Sequence, residues 1–300
     1  MNALEHELRR HFGERLAAHL PLADFTSFQI GGPADLLVTV AHEDELAKVL
    51  GACDGHGSPS FCLGSGTNLL VSDRGVRGVV VRLGAGFERI EIDENNVRAG
   101  AAARFGALVE TVVERGLGGL EFGEGIPGSV GGGLVMNAGA FGGEMARVVT
   151  IVHGVTRDGT PRSLTKDEVH FAYRRTDLPP GFVITRVDFM LEPGARDSLR
   201  ERMLELRAKR SARQPRGVPN AGSVFKNPPG AFAGRLLEAA GLKGARVGAA
   251  AFSDRHANFI VNLGGARADD VRRLIDMARE RVMATSGVAL EPEVRMIGDW

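Results

Sequence analysis

The chain has 300 residues, of which 43% are hydrophobic and 25% charged, a composition that supports one large folded domain or two ordinary ones. Its formal net charge is zero, which gives no electrostatic footprint for nucleic acid or an anionic membrane surface. No apolar run approaches the roughly 20 residues that span a bilayer, and the charged N-terminus lacks the apolar core of a signal peptide.

Hydrophobic periodicity predicts helices and strands in a mixed order. The predicted helices cover residues 3–20, 43–53, 104–114, 197–213, 232–240 and 269–285. The predicted strands cover residues 35–40, 60–63, 78–83, 87–93, 97–101, 148–155, 183–191, 258–262 and 288–297. Turns are expected at Asn95-Asn96 and at Arg157-Asp158-Gly159.

This order indicates an α+β protein in three parts. A break at Glu192-Pro193-Gly194 precedes a charged helix, and we place a domain boundary there. The predicted parts are residues 1–84, 85–196 and 197–300.

Two glycine-rich stretches stand out. Twelve of the 28 residues from 116 to 143 are glycine, and an earlier loop reads Gly-Ser-Gly-Thr-Asn-Leu-Leu over residues 64–70. Without a Cβ, the backbone N–H groups of glycine approach a ligand closely. The two stretches therefore predict a phosphate-bearing ligand held largely by the main chain.

A Rossmann dinucleotide site is the first alternative for the second stretch. Residues 123–128 match the G-x-G-x-x-G pattern, but that pattern needs a buried strand before it and a helix after it. The preceding residues are rich in glycine, and residues 129–133 have too much glycine for a stable helix. A nucleotide cradle of another kind fits better.

The cysteines and histidines indicate no further chemistry. Cys53 and Cys62 have no metal-ligand spacing and form no disulfide framework, so they are expected to be buried apolar residues of a cytoplasmic protein. The histidines are expected to be structural or on the surface, since no two have metal-ligand spacing.

Five further segments, together with the two glycine loops, carry a resemblance. They are, in chain order, Thr26–Asp35, Phe171–Thr176, Ala221–Pro228, His256–Asn262 and Leu290–Arg295. Seven motifs in this order, from about Leu22 to Gly298, closely resemble the UDP-N-acetylenolpyruvoylglucosamine reductase family of peptidoglycan synthesis. The resemblance implies the shorter subtype of that family, which lacks a tyrosine-bearing loop after Tyr173.

The resemblance implies a two-subdomain FAD-binding fold like that of the vanillyl-alcohol oxidase group, followed by a C-terminal α/β substrate-binding domain. It also implies non-covalent FAD, NADPH as hydride donor and UDP-N-acetylglucosamine-enolpyruvate as substrate. A monomer without nucleic-acid or membrane partners is expected. The implied FAD-binding residues are Gly64, Ser65, Gly66, Thr67, Asn68, Leu69, Ile126, Pro127, Gly128, Ser129, Gly132, Asn137 and Gly139.

The implied reaction adds hydride to C3 of the enolpyruvyl ether and leaves carbanion character at C2, which is delocalised into the carboxylate. It therefore requires a cation for the substrate carboxylate and a proton donor for C2. Arg174 suits the first role, because guanidinium binds carboxylate through a bidentate fork. Ser223 suits the second role if a neighbour such as Lys226 stabilises the developing alkoxide. Glu293 is expected to polarise the carboxylate; Glu291 would share its strand face, but Glu293 directly precedes Val-Arg as in the family motif. The remaining substrate-binding candidates are Tyr173, Arg213, Lys226 and Asn227.

Two other functions remain open on the sequence. One is a flavin enzyme of the same fold that oxidises an alcohol with oxygen. The other is a nucleotide-sugar or flavin-binding protein without catalytic activity.

Overall fold

The computed structural model describes residues 3–300. Its α-helices are α1 (Ala3–Phe12), α2 (Glu43–Gly55), α3 (Phe105–Glu114), α4 (Val130–Val135), α5 (Arg196–Arg213), α6 (Ala233–Ala239) and α7 (Ala268–Ser286). No helix in this range is long and apolar enough to cross a membrane.

The strands are mostly short, and many lie between the predicted ones. They are β1 (Leu16–Pro21), β2 (Pro33–Val40), β3 (Ser60–Leu63), β4 (Leu69–Val71), β5 (Val76–Leu83), β6 (Ile90–Asp93), β7 (Asn96–Gly100), β8 (Leu117–Gly118), β9 (Gly139–Ala140), β10 (Gly143–Glu144), β11 (Val149–Val155), β12 (Pro161–Thr165), β13 (His170–Ala172), β14 (Arg175–Asp177), β15 (Val183–Met190), β16 (Glu192–Pro193), β17 (Asn220–Ser223), β18 (Arg246–Val247), β19 (Ala250–Phe252), β20 (Phe259–Asn262) and β21 (Arg295–Ile297).

The chain forms two compact units. The first takes the chain up to Ala18 and then Leu36–Ser65 and Gly78–Arg210; the second comprises His19–Asp35, Gly66–Arg77 and Ser211–Trp300. The three-part division predicted from the sequence stays a prediction.

In the first unit, a five-stranded antiparallel sheet has the order β12-β11-β15-β7-β6. Helices α3 and α4 pack on its apolar core, which includes Phe105, Leu134 and Val187. A second apolar cluster joins α1 and α2 to β2 and β5, and β3 runs parallel to β5. The continuous apolar run of β5 predicted this burial, and Val79, Val80 and Val81 are fully buried.

In the second unit, the antiparallel sheet β17-β20-β19-β18 packs against α6 and α7. Strand β4 pairs in parallel with β21, which places Leu69 opposite Arg295. Two distant parts of the sequence, the first glycine loop and the C-terminal motif, therefore lie side by side.

Four predictions of local structure were wrong. The N-terminal helix ends at Phe12 instead of residue 20, and residues from Leu16 form β1 after a left-handed Gly13 with φ of 52°. The turn between β6 and β7 lies at Glu94-Asn95, where Glu94 accepts a φ of 52°. The C-terminal strand is confined to Arg295–Ile297, because the chain before it is irregular and Pro292 forms an isolated bridge with Phe225 instead.

The fourth error concerns the glycine-rich segment, where residues 130–135 form the helix α4 that their composition argued against. Ser129 caps this helix, and its Oγ accepts a hydrogen bond from the Gly132 N–H at 3.3 Å. Tertiary packing overrides the low helix propensity, since a Cβ on Gly131 would lie 2.9 Å from the Cβ of Ala101. Glycine is thus required here by close packing.

Candidate active site

The two glycine stretches meet in the first unit at Ser129. A Cβ built on Gly64 would lie 2.9 Å from the Ser129 Oγ, so the loop after β3 approaches the start of α4 closely. Gly64, Ser65 and Gly132 are exposed, whereas Ser129 is buried. The result is a bare main-chain surface, open on one side, where a side chain would fill the space that a ligand needs.

The glycines of the segment 116–143 serve two purposes. Several are required by internal packing, since a Cβ on Gly143 would lie 2.5 Å from the Phe122 ring and one on Gly139 would lie 2.6 Å from the Gly143 carbonyl oxygen. Gly132 is different, because its nearest neighbour would be the Ser129 Oγ at 3.3 Å. Ile126 and Gly128 are half-buried and Pro127 is exposed, so this edge of the segment faces outward.

Asn137 connects the glycine-rich segment to the hairpin β13–β14. It is buried with a φ of 40°, its Nδ2 donates to the Ala172 carbonyl oxygen at 3.1 Å, and its Oδ1 accepts from the Ala146 N–H at 3.0 Å. Both ends of its amide are bonded to main chain, so the side chain holds the hairpin in place. Thr176 reinforces this link by donating to the Val135 carbonyl oxygen at 3.0 Å.

Arg174 lies at the tip of this hairpin. Strands β13 and β14 pair through Ala172 and Arg175, so Tyr173 and Arg174 form a two-residue turn. Arg174 has a φ of 57°, a conformation that costs a non-glycine residue on the order of 1–2 kcal/mol. Its guanidinium lies 5.1 Å from the centre of the exposed Tyr173 ring. Only five residues, 178–182, join β14 to β15, which leaves no room for an inserted loop.

Ser223 and Glu293 are brought together in the second unit. Ser223 ends β17, and the next carbonyl oxygen, that of Val224, accepts the Glu293 N–H at 2.7 Å. The Lys226 N–H donates to the Glu291 carbonyl oxygen at 2.9 Å, so the Ala221–Pro228 and Leu290–Arg295 motifs run alongside each other. Both Ser223 and Glu293 are half-buried.

Asn258 holds the main chain that follows Ser223 in place. It is 4% exposed, its Oδ1 accepts the Phe225 N–H at 3.0 Å, and its Nδ2 donates to the Phe225 carbonyl oxygen at 2.8 Å. Asn68, from the first glycine loop, donates from Nδ2 to the Glu293 carbonyl oxygen at 3.0 Å. Sequence reasoning gave neither residue this role, because both bonds join segments far apart in the chain.

The structure separates the two candidate glutamates. Glu291 has a 70% exposed side chain and forms an ion pair with the Lys226 Nζ at 2.5 Å, whereas Glu293 is half-buried. Lys226, the predicted neighbour of Ser223, is thus engaged with Glu291 in this structure.

The other predicted residues of the second unit have varied positions. Gly66 is buried with a φ of 62°, and a Cβ there would lie 2.1 Å from the Phe25 carbonyl oxygen. Thr67 and Leu69 are half-buried beside it. Asn227 accepts the Ala233 N–H at 3.0 Å and so orders the start of α6, and Arg213 is exposed at the end of α5.

Burial decides the state of the other reactive side chains. Cys53 is buried, which raises the pKa of its thiol to about 11, and Cys62 is half-buried. His153 contacts Asp188 and Ser163 on the five-stranded sheet, while burial lowers the pKa of His256. Among residues 3–300, no group of three histidine, cysteine or acidic side chains is arranged to hold a metal ion.

The bare main-chain cradle of the first unit is a surface of the kind that binds the phosphates of a nucleotide. The comparisons identify the class as flavin-binding proteins. Residues 34–165 match the family model described as an FAD binding domain. Residues 214–297 match the model of the UDP-N-acetylenolpyruvoylglucosamine reductase C-terminal domain.

Whole-chain comparisons agree with both matches. The chain is 50% identical over 279 residues to UDP-N-acetylenolpyruvoylglucosamine reductase 2 of Symbiobacterium thermophilum, covering 93% of this chain and 91% of that protein. It is 45% identical to the Rubrobacter xylanophilus reductase, covering 93% and 94%. The crystal structure of the Thermus caldophilus reductase superposes with a TM-score of 0.82 at 40% identity, covering 94% and 99%.

The chain therefore belongs to the UDP-N-acetylenolpyruvoylglucosamine reductase family, and its α+β FAD-binding fold with a C-terminal domain is confirmed.

Proposed function

We infer that this protein reduces the enolpyruvyl ether of UDP-N-acetylglucosamine-enolpyruvate to UDP-N-acetylmuramate, with NADPH as reductant and FAD as cofactor. The observation that carries this function is the match of one chain to both an FAD binding domain and the reductase C-terminal domain, with Ser223 and Glu293 side by side in the latter. This is a step of peptidoglycan precursor synthesis.

The cradle in the first unit fits a flavin nucleotide. The exposed main chain of Gly64, Ser65 and Gly132 around Ser129 suits a pyrophosphate, because N–H groups bind phosphate oxygens without a side chain in the way. The outward edge formed by Ile126, Pro127 and Gly128 suits the flavin ring, and Gly66, Thr67, Asn68, Leu69, Asn137 and Gly139 complete the proposed cofactor set. Bound FAD would supply the hydride chemistry at this site, between NADPH and C3 of the substrate.

Arg174 is proposed to bind the substrate carboxylate. Hydride addition at C3 leaves negative charge at C2, which spreads into the carboxylate as an enediolate. The two-residue turn fixes the main chain that carries this guanidinium. This supports the role, because a charge that is already in position needs little reorganisation in the transition state.

Ser223 is proposed to donate the proton to C2, and Glu293 to polarise the carboxylate. A serine hydroxyl is a weak acid, so proton transfer needs exact placement beside a strongly basic carbon. The hydrogen bonds of Asn68 and Asn258 support this proposal, since they fix the main chain at Glu293 and at Phe225. Tyr173, Arg213, Lys226 and Asn227 are proposed to contact the sugar nucleotide.

Stopped-flow spectroscopy tests this function in two steps. NADPH should bleach the flavin absorbance of the holoenzyme, and the enolpyruvyl sugar nucleotide should restore it without oxygen. Restoration by oxygen and an alcohol-oxidising turnover would contradict the proposal, as would a protein that binds FAD but is not reduced by NADPH.

We further propose a cytoplasmic monomer that acts on small molecules alone. Sedimentation velocity at several protein concentrations tests the monomer directly.

A further inference from the structure

Arg210 is a half-buried cation whose terminal nitrogens have no protein partner. It lies near the end of α5, and its Nε donates to the Glu124 carbonyl oxygen at 3.1 Å. Its guanidinium carbon lies 5.7 Å from the centre of the Phe141 ring, at the tip of the β9–β10 hairpin. Within residues 3–300, neither Nη atom has a hydrogen bond or a carboxylate at ion-pair distance.

The charges around Arg210 indicate what its terminal nitrogens would bind. Burial is the main factor that lowers the pKa of Arg210, and the nearby Arg174 guanidinium lowers it further, while Glu124 opposes both. Two guanidinium groups that act on each other in partly buried surroundings repel one another. A bound anion at Arg210 would offset this repulsion and supply the acceptors that its Nη atoms lack.

The protein is built to keep Arg210 in this place. Gly125 has a φ of 69°, and a Cβ there would lie 2.9 Å from the Arg210 Cδ, so the arginine side chain passes directly over bare backbone. The preceding residue, Glu124, is 5% exposed, and its Oε1 accepts from the Arg207 Nε at 2.6 Å. Arg207 and Arg210 are one turn apart on α5. Glu124 therefore accepts two hydrogen bonds from this helix, one through its side chain and one through its carbonyl oxygen.

We propose that Arg210 is a second anion-binding residue in addition to Arg174, and that Glu124 is the positioning residue that holds Arg210 over Gly125 and next to Phe141. The ligand group is a carboxylate or phosphate oxyanion of one of the two small molecules of the reaction. The proposal rests on the proposed function and adds to it a residue that sequence reasoning passed over in favour of Arg213. Arg210 and Arg174 lie in the same unit.

The test of Arg210 is ligand binding without turnover. Oxidised, FAD-loaded Arg210→Ala protein is titrated by calorimetry with the enolpyruvyl sugar nucleotide and, separately, with NADP⁺. We expect Kd for one ligand to rise by about 10- to 100-fold, as for loss of a charged hydrogen-bonding group, and Arg210→Lys to recover part of the loss. The ligand whose Kd rises identifies the source of the oxyanion.

Lys209→Ala is the matched control, because Lys209 is the adjacent exposed cation and is paired with Glu205 on its own helix. Its Kd values should equal those of the wild type. Wild-type Kd values in Arg210→Ala for both ligands would overturn the proposal. Failure of the wild-type protein itself to bind the sugar nucleotide would instead contradict the proposed function.

The test of Glu124 separates positioning from mere stability. Glu124→Gln should raise KM for the ligand that Arg210 binds by roughly 3- to 10-fold with kcat little changed, as for lost uniform binding, and Glu124→Asp should restore part of it. Glu110→Gln is the control. The Glu110 side chain is 57% exposed and is the other carboxylate paired with Arg207, so its loss should leave KM unchanged. A lower Tm with unchanged KM in both Glu124 variants would overturn the positioning role.

Discussion

The glycine-rich segment 116–143 and the serine–glutamate site, formed by Ser223 and Glu293 with their neighbours, are built in opposite ways. In the first, the proposed function requires that side chains be absent, and the main chain is shaped by contacts such as that between Gly131 and Ala101. In the second, side chains are proposed to carry the chemistry, and hydrogen bonds from Asn68 and Asn258 fix the main chain beneath them. Damage to the first should therefore appear in cofactor affinity, and damage to the second in rate.

The largest effect is expected for Ser223→Ala. Loss of the proposed proton donor should slow flavin reoxidation by the enolpyruvyl sugar nucleotide by about 10²- to 10⁴-fold, while flavin reduction by NADPH stays normal. Stopped-flow absorbance measures the two steps separately. Ser286→Ala, at the end of α7, is the control, and a normal reoxidation rate in Ser223→Ala would remove Ser223 from the mechanism.

Arg174→Ala should have the next largest effect. Loss of a charged hydrogen-bonding group costs about 1.5–3 kcal/mol, so kcat/KM for the enolpyruvyl sugar nucleotide should fall by about 10- to 100-fold. Arg175→Ala is a close control, because Arg175 is the next residue, its side chain is 66% exposed, and it is paired with Asp177. Equal losses in the two variants would show that the hairpin, and not the Arg174 guanidinium, is responsible.

Two adjacent glycines sharpen the contrast within the segment 116–143. In Gly131→Ala the new Cβ would lie 2.9 Å from the Ala101 Cβ, and such overpacking costs about 1–3 kcal/mol of apoprotein stability. In Gly132→Ala the new methyl group meets only the Ser129 Oγ at 3.3 Å, so apoprotein stability should hold or rise by up to ~1 kcal/mol. FAD affinity should nevertheless fall, because that methyl group occupies the cradle.

Urea unfolding of the apoproteins and fluorescence titration with FAD measure these two quantities. The interpretation fails if Gly132→Ala binds FAD as tightly as the wild type, or if Gly131→Ala is as stable as the wild type.

The same contrast explains which features the sequence could predict. Periodicity located most helices and strands, and ordered motifs indicated Arg174, Ser223 and Glu293 as the proposed catalytic residues, since both are local properties of the chain. The helix α4 was missed because its stability comes from Ser129 and from packing on Ala101, against the propensity of its own residues. Two contacts were missed because they join residues far apart in the chain. Lys226 and Glu291 are separated by 65 positions, and Glu124 and Arg207 of α5 by 83.

The smallest effect is expected for Asn68→Ala. It removes one hydrogen bond, from Nδ2 to the Glu293 carbonyl oxygen, while the bond from the Arg295 N–H to the Asn68 carbonyl oxygen remains. A single such bond contributes about 0.5–1.5 kcal/mol, so unfolding free energy should drop by that amount and reoxidation should slow only a few-fold. Asn96→Ala, on the exposed β6–β7 hairpin, is the control.

Because Asn68 also belongs to the proposed cofactor set, FAD content is measured on the same samples. Slowed reoxidation at full FAD occupancy assigns Asn68 to the serine–glutamate site. Loss of FAD with a normal rate assigns it to the cradle.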